Sequence, residues 1–169
     1  MAIPQYNQNG AGGALDQLAP SGVRVKDIST RTLTAADSGT IFVIGNSGDA
    51  TVTLPACSAE MIGVTYKFIV VAAENDATLI NTGDATDSGG DDFVGGVAYV
   101  TAADKAYVIQ CAANDSQIQL DDNLADTGCG LGTWVEVTCV SNTQWFVNGV
   151  VEGDHDADGD GTAIFVNVS

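Results

Sequence analysis

Apolar and polar residues alternate along most of the chain in runs of strand length. The pattern is clearest at 34–56, TAADSGTIFVIGNSGDATVTLPA. Here Ile41-Phe42-Val43-Ile44 and Thr51-Val52-Thr53-Leu54 flank Gly45-Asn46-Ser47-Gly48-Asp49. β-branched and aromatic runs on either side of turn residues predict a β-hairpin. In the second run Val52 and Leu54 share one face and Thr51 and Thr53 the other, so one face is expected to be buried. Pro55 has no N–H for a ladder and ends the strand, and Asp37-Ser38-Gly39 supplies turn chemistry ahead of the first run.

The same order returns at 101–120, TAADKAYVIQCAANDSQIQL. One gap brings Asp115 opposite Asp49, Ile118 opposite Val52 and Leu120 opposite Leu54. Two related hairpin units are expected to form halves of one β-sandwich rather than a solenoid, because two copies are too few for a repeat array.

Further runs fill the rest. Residues 23–28 alternate, with Arg24 and Lys26 on the outward face. Residues 64–71 alternate and then become continuously apolar, which suggests a central strand. A short strand is expected at 77–81, and Gly95-Gly96 is expected to break 93–100 into a bulged or turned pair. Residues 133–140 and 144–151 flank Ser141-Asn142-Thr143 as a hairpin, with Trp134 and Trp145 in core or cross-strand packing. Residues 163–168 form a last strand. Ten or more short strands without helical period predict an all-β protein, a single β-sandwich or jelly-roll-like domain at 22–169.

Residues 1–21 differ. Gly10, Gly12, Gly13, Gln5, Asn7, Gln8 and Asn9 dominate, and neither strand nor helix period is present. This stretch reads as an extended N-terminal arm, either held by a neighbour as a contact arm through isolated apolar anchors, Ile3, Pro4, Tyr6, Leu15 and Leu18, or folded back on its own domain. Each anchor buried would contribute about 1.5–3 kcal/mol towards ordering the arm.

At 169 residues, one domain with a sizeable core is the default. No apolar run approaches the roughly 20 residues that span a bilayer, and MAIPQYNQNG lacks the basic and apolar regions of a signal peptide. Synthesis in the cytoplasm without secretion, and no membrane partner, are expected. Charge changes the picture more: 22 acidic residues against five basic give a net −17. Arg24, Lys26, Arg31, Lys67 and Lys105 are scattered, so direct nucleic-acid binding is not expected. The acidity suits solubility in a crowded setting or docking onto a more basic surface.

Cys57, Cys111, Cys129 and Cys139 allow three pairings. None lies in a CxxC pair and His155 is the only histidine, which speaks against a zinc or redox site and for buried free thiols. The sharpest candidate for chemistry is DHDADGDG at 154–161. Asp154, Asp156, Asp158 and Asp160 alternate as carboxylates do at the start of a Ca²⁺ loop. The twelfth position is Phe165 rather than a bidentate Glu, so this is no EF-hand. A looser Ca²⁺-binding turn and a solvated acidic turn both stay open. The acidic stretch 84–92 has no ligand spacing and reads as a solvated loop. His155 has no Ser or Cys nucleophile in a recognisable motif, so no enzyme is expected, and no cofactor other than Ca²⁺ at that loop.

Ala36-Asp37-Ser38-Gly39, then an apolar strand, Thr53-Leu54-Pro55, Gly63, and Tyr66 with Phe68 form a pattern over 33–71. It resembles that of small virion proteins of tailed bacteriophages, the head decoration (cement), fibre and minor structural proteins. The resemblance implies a viral structural protein on the outer surface of the capsid. It would form a homotrimer on local three-fold axes of an icosahedral head, bridging subunits of the major capsid protein. It implies no catalytic residue. Two alternatives stay open: a fibre or receptor-binding, glycan-binding module that uses exposed Trp or Tyr and the loop at 154–160, and a structural filament or surface-layer subunit of cellular origin.

Overall fold

Ile41–Ile44 and Ala50–Thr53, the two runs of the leading motif, lie in different sheets. The structure is a computed structural model, which describes residues 17–18, 23–45, 48–72, 77–84, 90–101, 106–121, 130–153 and 164–168. Thirteen strands are present there: β1 Gln17–Leu18, β2 Arg24–Asp27, β3 Arg31–Thr32, β4 Ile41–Ile44, β5 Ala50–Thr53, β6 Thr65–Val70 and β7 Thr78–Asn81. They continue with β8 Asp92–Thr101, β9 Ala106–Gln110, β10 Gln117–Leu120, β11 Trp134–Cys139, β12 Gln144–Gly153 and β13 Phe165–Val166. The only helical element among the described residues is a single 3-10 turn, Ala35–Asp37.

The strands form two mixed sheets. The larger has the order β1-β2-β4-β6-β11-β12-β8-β9, the smaller β13-β10-β7-β5-β3. The protein is therefore all-β, as the alternation predicts, but the connections differ from those expected. The hairpin expected at 34–56 does not form, and neither does the one expected at 101–120: β9 belongs to the large sheet and β10 to the small one. The reason is that alternation reports one buried face per strand and is silent on whether two strands lie side by side or face each other across a core. Phe42 and Ile44 bury one face of β4, and Val52 and Leu54 bury the corresponding face of β5 and its exit.

From β2 to β7 the chain passes back and forth between the sheets. β2, β4 and β6 stack in parallel in the large sheet, while β3, β5 and β7 stack in parallel in the small one. These three successive turns have the connectivity of a solenoid, the arrangement not expected from two TAAD units alone. The parallel pairs also depart from the antiparallel ladders of a jelly roll. Beyond β6 the large sheet turns antiparallel through β11 and β12, joined across Ser141-Asn142-Thr143 as predicted. It then has one more parallel pair, β12 with β8, before β9 closes it antiparallel to β8.

The expected break at Gly95-Gly96 is a distortion within one ten-residue strand. Gly95 has φ +105°, and the β8–β12 register is the same on either side of it. β6 is central, flanked by β4 and β11. One apolar cluster takes side chains from both sheets, including Phe42, Tyr66, Phe68, Phe93 and Trp145 from the large sheet and Val52, Ile80, Ile118, Leu120 and Phe165 from the small one.

The motif residues of 33–71 act on this frame. Asp37 accepts hydrogen bonds from the Thr34 N–H (3.1 Å) and hydroxyl (2.9 Å), which caps the 3-10 turn, and pairs with Lys26 at 3.2 Å. Gly39, at φ +75°, donates its N–H to Thr65 O, and the Tyr66 hydroxyl donates to Thr34 O at 2.8 Å. The Ala36–Gly39 segment and Tyr66 thus fasten the turn to the central strand.

Candidate interaction face

A strand with apolar residues at both alternating sets of positions offers a second apolar face once the first is buried. In β4, β6, β12 and β8 the inward set fills the core, which leaves Val43, Ile69, Val150 and Ala98 pointing outward. Strand register brings these into one line. Val43 is opposite Ile69, Ile69 opposite Trp134, Trp134 opposite Val150, Val150 opposite Ala98, and Ala98 opposite Val108. The row crosses six strands, about 24 Å at normal strand spacing. It ends at Val108, which is 76% exposed. Beside it lie the exposed side chains of Val100 and Phe146, the latter 42% exposed.

Charge frames the row and meets it at one residue. Lys67 and Glu136 are opposite each other in the adjacent register line, and the Lys67 ammonium sits 4.3 Å from the Trp134 ring centroid, capping that ring with a cation. Trp134 is thus on the outer face and Trp145 in the core. The small sheet's outer face is more polar: Thr51, Thr53, Asn81, Gln117 and Gln119 lie there beside Leu79, with Gln117 Nε2 donating to Asn81 Oδ1 at 2.8 Å.

The acidic loops behave less uniformly than the sequence suggests. Asp91, expected in a solvated loop, is only 4% exposed and accepts the Cys57 N–H at 2.7 Å. Burial raises its pKa, and nearby Asp84 and Asp92 raise it further against that hydrogen bond. Asp115 is also pushed up by burial and by Asp92, although it accepts the Ala112 N–H at 2.6 Å. At Asp37 burial raises the pKa, but the bonds from Thr34 and the Lys26 charge outweigh it and leave it lowered.

The pH response follows from these directions. A carboxyl with a raised folded pKa binds more protons folded than unfolded, so its contribution is full below the unfolded value near 3.8 and is lost as pH rises through the folded value. Asp37 works in the opposite sense, and its contribution is lost as pH falls below about 3.8 through its lowered value. Melting temperature is therefore expected to rise as pH is lowered from 7 towards 4 and to fall below that. Asp91→Asn keeps an acceptor for Cys57, removes the buried charge, and should raise the pH 7 melting temperature while flattening the rise. Thermal melts across pH check both.

Cys57, Cys111 and Cys139 are free thiols. Burial, followed by the Asp91 charge, drives the Cys57 thiol far up, and burial pushes Cys111 to about 12. Both stay protonated at neutral pH and are poor nucleophiles. Among the described residues no group of three or more His, Cys, Asp or Glu is placed to hold a metal ion, and no helix is long and apolar enough to cross a membrane. The Ca²⁺ candidates Asp154, Asp156, Asp158 and Asp160, and the arm residues Ile3, Pro4, Tyr6 and Leu15, lie outside the described residues, as does Cys129. Leu18 falls in β1, opposite Arg24 of β2, so the end of the arm is an edge strand of the large sheet.

Comparison of the chain with known protein families, curated proteins and solved structures gives no match. The outer apolar row was legible only in part from the sequence. The apolar character of both faces of β4 and of 69–71 signals it, but register is needed to join six strands into a line.

Proposed function

We propose that this chain is a docking module without catalytic chemistry, and specifically a capsid decoration (cement) protein. It would bind the outside of an icosahedral phage head and bridge neighbouring major capsid subunits. The observation that carries the docking reading is the apolar row Val43–Ile69–Trp134–Val150–Ala98–Val108 on a face whose rim is charged. Contact faces with a desolvated apolar centre and a polar rim are the usual form of protein interfaces. The phage assignment rests on the motif over 33–71. Its residues fasten a capped turn to the central strand, so the resemblance concerns a scaffold rather than a reactive site. The two sheets with their shared core would serve as a sandwich-like body, and the acidity would keep decorated particles dispersed.

The competing reading, a fibre or glycan-binding module, needs an open aromatic platform. Trp145, Tyr66 and Tyr99 are buried, Lys67 covers one face of Trp134, and among the described residues Phe146 is the one exposed aromatic, too little for a stacking platform.

The test has two parts. Quantitative mass spectrometry and image reconstruction of the particle should find this chain on the shell exterior, in numbers comparable to the major capsid subunit. A handful of copies at a vertex or tail would replace the cement reading with the fibre reading. Binding of purified chain to undecorated shells should then weaken by about thirtyfold, the scale of a central interface residue, in Trp134→Ala/Val150→Ser. An unchanged melting curve would show that the loss is not unfolding, and unchanged shell binding would remove the row from the interface.

A further inference from the structure

Edge strands are normally guarded by charge, proline, a bulge or a covering element, because an open row of N–H and C=O groups templates pairing with another chain. β9 closes the large sheet opposite β1 and reads Ala106-Tyr107-Val108-Ile109-Gln110, without a charge or a proline. Its hydrogen-bond phase can be read from the next residue. The Cys111 N–H donates to Gly95 O at 3.1 Å, one step beyond the Gly96–Gln110 pair. Because hydrogen-bonded pairs alternate in an antiparallel ladder, Tyr107 and Ile109 direct their backbone groups at β8, and Ala106, Val108 and Gln110 direct theirs away from it. Among the described residues those outward N–H and C=O groups have no partner.

We propose that β9 is the seam of a symmetric dimer, in which a second copy of this chain adds its own β9 antiparallel across a two-fold axis at Val108. This goes beyond the decoration reading and does not depend on it. Three features select a second copy over a foreign strand. The strand is self-complementary about Val108: Ala106 meets Gln110, Val108 meets Val108, and about six outward backbone hydrogen bonds form. In a chain with 22 acidic and five basic residues, this segment lets two copies meet without opposing carboxylates. The outer apolar row ends at Val108, the most exposed large apolar side chain among the described residues, so the pairing makes the rows of both copies one continuous line.

The charge sets the sign of the salt dependence. Two bodies of net −17 repel each other, and added salt screens that repulsion, so dimerisation should strengthen with salt. A basic foreign partner would give the opposite trend.

Sedimentation velocity on the full chain over a dilution series should show a monomer–dimer equilibrium that moves towards dimer between about 0.05 and 0.5 M NaCl. Val108→Lys places two ammonium groups at the axis and should weaken the dimer at least tenfold while leaving the melting temperature of the dilute monomer unchanged. Val108→Pro removes one outward N–H and leaves the donors to β8 in place, and should weaken it likewise. Val108→Cys should oxidise to a covalent dimer mapping to 108–108, since Cα atoms of a hydrogen-bonded antiparallel pair lie about 5.5 Å apart, within disulfide reach. A monomer at every salt and concentration would overturn the proposal. So would a trimer, the state the phage resemblance implies, or a dimer that neither Val108→Lys nor Val108→Pro weakens.

Discussion

Phe68→Ala should remove about 3–5 kcal/mol of stability, a large share of the roughly 5–15 kcal/mol that a domain typically has. Phe68 is fully buried and stacks on Phe42, with ring centroids 5.4 Å apart at 21°. Its register partners are Phe42 in the parallel part of the large sheet and Val135 in the antiparallel part. Truncation therefore leaves a cavity where the two kinds of pairing meet, and neither side can close on it alone. Phe68→Leu keeps most of the volume and should cost less than about 1.5 kcal/mol. Urea unfolding should show a lower midpoint for Phe68→Ala than for Phe68→Leu at similar slopes. If the two variants are equally stable, the halves of the sheet do not depend on this ring.

Gly95→Ala should be the most damaging single-methyl change on the large sheet. Two costs coincide there. The residue has φ +105°, where an L side chain is strained by about 1–3 kcal/mol. An added Cβ would also sit 2.4 Å from Val147 O and 2.9 Å from the Phe146 ring, forcing β8 off β12. Overpacking of this kind costs a further 1–3 kcal/mol or so. Gly48→Ala separates the terms, because Gly48 has φ +71° but nothing within 4 Å of the added carbon. In thermal melts Gly95→Ala should unfold well below Gly48→Ala. Equal melting would mean that β8 moves aside at no cost.

What the sequence made legible is most of the strands and their buried faces; the two-residue strands β1 and β3 carry no alternation and were not expected. Alternation in 51–54 and 64–71 marks the residues that fill the core, and Ser141-Asn142-Thr143 marks a true hairpin. The sheet assignment was not legible. A five-residue connection such as Gly45–Asp49 serves equally to turn a strand back beside itself or to carry it across the core, and only tertiary packing chooses. The candidate face was hidden for the same reason. Ile69 and Val150 are apolar residues on outward positions far apart in the chain, and no local rule places them one strand from Trp134. Asp91 was misjudged because a run of acids and glycines suggests solvent, whereas the Cys57 N–H gives this carboxylate a buried partner.

The back-and-forth winding of β2 to β7 has a consequence for how the molecule is made. β4 to β7 each pair in parallel with a strand of the preceding turn, so short loops suffice to close this region. The β8–β12 pair is different, joining Asp92 to Gln144 across a long intervening stretch. Closing so long a loop must come before its contacts return any stability. The expected order is an early wound half that presents the edge of β6 and a later half, containing β8, β11 and β12, that completes the large sheet on it; hydrogen-exchange labelling during refolding should protect β6 before β8.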